Sequence, residues 1–205
     1  MYVVKVYFVV LRSAAVAFRS CNDCVVYRGV IMKVFISYHR ADTKYRHRIE
    51  AILQESCIPY YAVPEDTIFD GMHNQAIKDQ IVNKIYDCDV LICIVGKETY
   101  TRGHVDWELY TALKGQVGKR KGVVAILVES RRDSKYNIDY NTFPNRLQDN
   151  EDYIVIEQYA SIADKLFKAI DQAEENRNDR RLQVNNQRPP MQLRAKYYYD
   201  NYIKK

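Results

Sequence analysis

Short apolar runs and amphipathic stretches alternate along the middle of this chain. The apolar runs predict five strands, at residues 34–38, 58–63, 89–95, 123–128 and 153–156. Apolar residues at helical spacing between and after them predict helices at residues 43–56, 74–86, 104–114 and 162–173. Because the first and third runs are apolar throughout, they are typical of central strands buried on both faces. The pattern predicts an α/β fold, with a parallel sheet covered by helices on both sides.

Individual residues mark where these elements begin and end. Asp42 is of the type that caps a helix N-terminus, and Gly115 follows the third helix as a C′ glycine would. Pro64 ends regular structure after the second strand. Residues 129–150 are polar and suggest a long loop without a clear element.

Composition divides the chain into three parts. Residues 1–31 are predicted to be an N-terminal extension, upstream of a true start at Met32, because the first strand begins directly after that methionine. A membrane or export segment is the weaker alternative, since Lys5, Arg12 and Arg19 interrupt the apolar stretch. Residues 32–173 form the predicted domain, and residues 174–205 a charged, tyrosine-rich tail.

The net charge of +5 lies on the extensions rather than on the domain. Residues 32–170 carry a net charge of −1, whereas residues 1–31 and residues 171–205 each carry +3. A nucleic-acid-binding domain is expected to have a basic patch on its folded body. We therefore expect no nucleic-acid partner. The charged residues that interrupt the apolar stretch at the N-terminus are the reason for expecting no membrane partner.

The cysteines point to a reducing compartment. There are five, an odd number, and Cys93 lies inside a predicted buried strand. Cys21 and Cys24 form a C-x-x-C pair with no second pair to complete a zinc site. This usage favours a cytoplasmic protein without a disulfide framework.

Several familiar sites can be excluded by their motifs. The chain has no G-x-G-x-x-G for a dinucleotide cofactor, no P-loop, and no G-x-S-x-G nucleophile turn. The four histidines lack the spacing of a metal cluster, and the third strand does not end in the aspartate that a phospho-receiver needs. In folds of this class ligands bind at the carboxyl ends of the strands, where the strand order reverses. The loops at residues 37–42, 64–73 and 96–103 are therefore the candidates.

Two segments remain that carry chemistry. The run FISYHRAD ends the first strand with Ser37 and His39, and HVDWEL opens the third predicted helix with Trp107 and Glu108. Together with the acidic loop 64–73, they resemble the TIR domain family, most closely its bacterial TIR-like branch that includes the ThsB component of Thoeris antiphage defence. The resemblance covers residues 32 to about 170. It implies a flavodoxin-like, three-layer fold with a five-stranded parallel sheet.

The resemblance also implies an activity and a site. Catalytic members cleave NAD at the nicotinamide–ribose bond, and the residue matching their helix glutamate is Glu108. Ser37 and His39 would contact phosphate or ribose, and Trp107 or Phe69 would stack on a base. NAD is then the substrate, with no cofactor and no metal. Relatives usually have a tryptophan about four residues before the glutamate, where this chain has His104.

Two functions are consistent with this resemblance. In the first, an NAD-cleaving enzyme makes a linear or cyclic nucleotide that diffuses to a downstream effector. In the second, the chain is a non-catalytic interaction module. Self-association through the loop at residues 64–73 is expected in either case.

Overall fold

The structure is a computed structural model that describes residues 32–63, 75–116, 119–128 and 141–191. Five strands and five α-helices alternate along these residues. In chain order they are β1 (Val34–Ser37), α1 (Thr43–Glu55), β2 (Tyr60–Ala62), α2 (Gln75–Asp87), β3 (Val90–Val95), α3 (Gly103–Leu113), β4 (Gly122–Leu127), α4 (Asn145–Gln148), β5 (Val155–Gln158) and α5 (Ile162–Asn178).

The strands form one parallel sheet in the order β2-β1-β3-β4-β5. This is the flavodoxin-like order, and it confirms the predicted fold class. The order reverses between β1 and β3, because β2 is added on one side of β1 and β3 is added on the other. The carboxyl ends of β1 and β3 therefore flank the crevice in which such folds bind ligands.

Two apolar layers cover the sheet, and side-chain alternation decides which residue enters which layer. On β1, Val34 and Ile36 belong to the core under α1 and α5, whereas Phe35 packs with α2, α3 and α4. Successive side chains of a strand point to opposite faces. Ser37, two residues after Phe35, consequently faces the layer that contains α3.

Four elements differ from the sequence predictions. β2 spans only Tyr60–Ala62, whereas residues 58–63 were predicted. β5 begins at Val155 rather than at 153, and the buried Tyr153 instead donates a hydrogen bond to Lys121 O at 2.6 Å. The expectation that residues 129–150 contain no element is wrong for its described part, which includes α4. The closing helix continues to Asn178, five residues beyond its predicted end. Gly115 has a φ of +123°, which confirms its predicted position as the C′ glycine that follows α3.

Residues 179–191, which we call the C-terminal strap, lie against the domain without forming a helix or a strand. Leu182 and Val184 pack on the apolar layer that includes α3. Asn185 N donates to Asn150 Oδ1 at 2.8 Å, and Asn150 Nδ2 donates to Asn185 O at 2.9 Å. The sequence predicts a tail here, whereas this part of the tail is held by both apolar and polar contacts.

Several predictions lie outside the described residues. These are the N-terminal extension, the loop at residues 64–73 with Phe69, and the end of the tail from residue 192. Among the described helices, none combines the length and apolar character that a membrane span requires.

Candidate active site at the carboxyl ends of β1 and β3

A buried hydrogen bond joins the end of β1 to α3. Ser37 Oγ donates to Glu108 Oε2 at 2.5 Å, and the two residues are 1% and 2% exposed. Ser37 faces α3 because of strand alternation, and Glu108 lies on the side of α3 that turns toward the sheet. The structure thus brings together two residues 71 positions apart that the sequence predicts to share a site.

Burial changes the acidity of Glu108. Removal from water raises the pKa of its carboxyl from 4.5 to about 8, and the hydrogen bond from Ser37 opposes this effect only partly. Near neutral pH the resting side chain is therefore mostly a neutral acid. It becomes a carboxylate when the pH rises or when a positive charge comes close.

The surroundings of Glu108 include groups from two other strands. Tyr61 lies on β2, and its ring packs against that of Phe35 with centroids 5.6 Å apart. The negative charge of Glu108 adds to burial in raising the pKa of Tyr61 and of Cys93 on β3. Tyr61 and Cys93 are therefore close enough to Glu108 to feel its charge.

Two imidazoles lie near the carboxyl end of β1. His104, on the first turn of α3, has its Nε2 3.3 Å from Tyr38 O, and its ring centroid is 6.4 Å from that of His39. Burial, with the nearby charge of Arg102, lowers the pKa of each histidine to about 4. Both rings are consequently neutral at neutral pH and can exchange hydrogen bonds without adding charge.

His39 also contacts its own turn. Its Nδ1 accepts a hydrogen bond from Ala41 N at 3.4 Å, which caps the short 3-10 helix Arg40–Asp42. His39 therefore has a local structural role in its turn. Its role in ligand binding remains a prediction.

Asp42 occupies the predicted N-cap position of α1, but the prediction that its side chain caps the helix is wrong. Its side chain makes no capping hydrogen bond and is instead buried against the end of β3, where Thr99 opposes the effect of burial on its pKa. Its carboxylate fills the space that a Cβ on Gly96 would occupy. Oδ2 is buried without a hydrogen-bond partner among the described residues, and burial raises the pKa of Asp42 to about 6.

Thr99 and Gly96 complete this corner. Gly96 N donates to Thr99 Oγ1 at 2.8 Å, and Thr99 Oγ1 donates to Ile94 O at 3.3 Å. Asp42 thereby connects the turn after β1 with the loop that leads into α3. Sequence reasoning included this loop but missed Gly96, Thr99 and Tyr61. The signal for Tyr61 was its place in a strand next to β1.

The aromatic candidates are less central. Trp107 precedes Glu108 and is therefore rotated about 100° away from it around the helix. It is half-buried against the apolar layer of α2 and α3. Phe69 lies outside the described residues, so the predicted base-stacking roles of both residues remain predictions.

Comparison with known families gives one match. Residues 35–133 match the model of a family described as "Thoeris protein ThsB, TIR-like domain". The match runs from β1 past β4, and so includes Ser37, Asp42 and Glu108. α4, β5, α5 and the C-terminal strap follow it in the chain. No curated protein matches the chain.

Proposed function

We propose that this chain, whose residues 35–133 match the ThsB TIR-like domain family, belongs to that family of Thoeris antiphage defence and cleaves NAD between nicotinamide and ribose. Glu108 is the catalytic residue in this proposal. The observation that supports it most strongly is the buried contact between Glu108 and Ser37, 2.5 Å long, at the point where the strand order reverses. A carboxyl group buried there fits catalysis, since active sites shift pKa values by such burial.

The reaction needs little from the protein beyond a well-placed negative charge. When the bond between nicotinamide nitrogen and ribose C1′ breaks, its electron pair goes to the nitrogen and neutralises the pyridinium. The ribose is left as an oxocarbenium-like cation, which a carboxylate close by stabilises. Water then adds to C1′ and loses a proton, which gives ADP-ribose, or a nucleophile of the same molecule adds and closes a ring.

The substrate itself can ionise Glu108. The nicotinamide ring of NAD carries a positive charge before cleavage, and a cation beside a buried acid favours its charged form. Binding therefore causes Glu108 to release its proton to solvent and leaves the carboxylate that the transition state requires. Ser37 supports this step, because its hydroxyl donates to the oxygen that becomes charged.

The remaining parts of the predicted site serve binding. Neutral His39 offers a hydrogen bond to ribose or phosphate, and Trp107 or Phe69 stacks on a base. The nucleotide product would leave the site and act on a downstream effector. Self-association through residues 64–73 completes the proposal.

A second candidate is a non-catalytic interaction module of the same family. The nearly complete burial of Glu108, which is 2% exposed, favours it, because a buried acid bonded to a serine can also be purely structural. Such a module would bind its partners without consuming NAD. Measuring nicotinamide release distinguishes the two candidates.

The test is the pH dependence of nicotinamide release by the wild-type protein, with and without an extract of phage-infected cells as trigger. We expect kcat/KM to rise with pH through an apparent pKa near the value of about 8 that burial gives Glu108. The pKa seen in kcat should be lower, since the bound pyridinium favours the carboxylate. Absence of nicotinamide release under both conditions would favour the interaction module.

A further inference from the structure

Helix α3 is held from two opposite sides. Glu108 faces β1, whereas Asp106, about 200° away around the helix, faces α4 and the C-terminal strap. Asp106 is 6% exposed and accepts hydrogen bonds from Arg146 Nε at 2.9 Å and Arg146 Nη2 at 3.1 Å. Met191 N adds a third at 2.7 Å.

Arg146 connects this carboxylate to the strap. Its side chain is fully buried, and its guanidinium lies over the ring of Tyr110, 5.1 Å from the centroid. Nη1 donates to Asn186 Oδ1 at 2.7 Å. Nη2 also donates to the backbone oxygens of Arg188, at 3.0 Å, and Pro189, at 3.3 Å.

Asn186 links both ends of α3. While its Oδ1 accepts from Arg146, its Nδ2 donates to Tyr110 O at 3.0 Å. Tyr110 O is one of the last four carbonyls of α3, which have no partner within the helix. The strap therefore holds the first turn of α3 through Asp106 and the last turn through Tyr110.

We infer that Asn186 is a positioning residue for Glu108, acting through Arg146 and Tyr110 to fix the place of α3 along its axis. A slip of one residue would move Glu108 by about 1.5 Å and turn it by about 100°, which would break its contact with Ser37. Neither Arg146 nor Asn186 lies within residues 35–133, so these contacts involve residues outside the family match. The effect of Asn186 on catalysis rests on the proposed function.

The test compares two identical substitutions at neighbouring positions of the strap. Asn186→Ala removes both contacts, whereas Asn185→Ala removes an exposed side chain whose Oδ1 accepts a long hydrogen bond from Gln187 N, at 3.4 Å. Asn185 keeps its backbone hydrogen bonds to Asn150 in that control. We expect Asn186→Ala to lower kcat by about 10-fold with a smaller change in KM, and Asn185→Ala to change neither, since small misplacements mainly affect the chemical step.

A second measurement does not depend on activity. The carboxyl ¹³C signal of Glu108 can be titrated by NMR, and its pKa reports how well α3 keeps it buried. The neighbouring groups Ser37, Tyr61, Cys93 and Asp42, and Asp106 and Arg146 on the far side of α3, are the same in all variants. We expect the pKa to fall from about 8 toward 4.5 in Asn186→Ala and to stay unchanged in Asn185→Ala.

The outcomes separate this inference from the proposed function. A Glu108 titration in folded Asn186→Ala that equals that of the wild type overturns the inference, whatever the stability of the variant. If Asn186→Ala does not fold, Asn186→Ser, which is too short to reach both partners, takes its place with the same criterion. If the wild type releases no nicotinamide, the proposed function fails, and the NMR titration still decides the inference.

Discussion

Glu108 is the residue at which function and stability compete. In the folded protein its pKa is raised from 4.5 to about 8, so the folded state binds the proton more tightly than the unfolded state does. The stability that this acid contributes is fully present below pH 4.5 and is lost as the pH rises toward 8. The shift corresponds to about 5 kcal/mol at most.

Glu108→Gln should remove this dependence, because an amide does not ionise. The difference in free energy of unfolding between the variant and the wild type should shift by about 3 kcal/mol in favour of the variant from about pH 5.5 to about pH 9. Urea denaturation at both pH values measures the gain. A difference between the two proteins that stays constant with pH would show that Glu108 is not buried as an acid.

The contact between Asp42 and Gly96 leads to a second prediction at the residue scale. Gly96→Ala would place a methyl group on the Asp42 carboxylate, and we expect a loss of about 1–3 kcal/mol from overpacking. In the Asp42→Ala background the same change should cost less, since the obstructing group is gone. Equal costs in both backgrounds, measured by urea denaturation, would contradict the contact.

At this scale the resemblance to the TIR-like family predicted that Ser37 and Glu108 share a site, and the hydrogen bond between them confirms that they lie together. Their roles in catalysis and binding stay predictions. The role of Asp42 was predicted wrongly, because its residue type favours a helix cap. Only the tertiary structure shows that a glycine leaves room for its carboxylate at the end of β3.

The short helix α4 and the strap form the element that holds the back of α3. Their central interaction is the ion pair between Arg146 and Asp106, with side chains 0% and 7% exposed. Arg146→Ala leaves the Asp106 carboxylate buried without its cation, and should cost about 3–5 kcal/mol. Arg188→Ala removes only a partly exposed pair with Asp149 and should cost less than about 1 kcal/mol.

Thermal or urea denaturation of the two variants checks this prediction at the element scale. Similar losses in Arg146→Ala and Arg188→Ala would mean that the buried pair does not hold α4 and the strap in place. The double variant Asp106→Leu with Arg146→Leu should recover part of the stability that Arg146→Ala loses, since no unpaired charge is then buried.

The main strands and helices were predictable because each shows a clear hydrophobic pattern, even where the strand is short. α4 was missed since four residues show no helical periodicity. The strap was taken for a tail because its composition is charged and rich in Asn and Gln. Its apolar signal is limited to Leu182 and Val184, which alternate with polar residues as an extended segment would.

For the whole molecule, the buried ionisable groups predict a stability maximum near neutral pH. His39 and His104 have pKa values lowered from 6.5 to about 4, so the folded state resists protonation and loses stability as the pH falls through that range. Glu108 and Asp42, whose pKa values are raised, act in the opposite direction and lower stability as the pH rises.

A melting-temperature scan from about pH 4 to about pH 9 measures this profile. We expect the melting temperature to be highest between about pH 6 and about pH 7. Below that pH it should fall less steeply in His104→Gln, which has no imidazole to protonate. An equally steep fall in that variant would contradict the burial of the His104 ring.

The most direct test of the central claim is nicotinamide release from NAD by wild type, Glu108→Gln and Glu55→Gln, each with and without the phage-infected extract. Glu55 is an exposed glutamate at the end of α1 and serves as the matched control. We expect release by the wild type and Glu55→Gln and a loss of at least about 100-fold in Glu108→Gln, since a buried carboxylate at the reacting ribose is worth several kcal/mol. Release by Glu108→Gln at the wild-type rate would contradict the account.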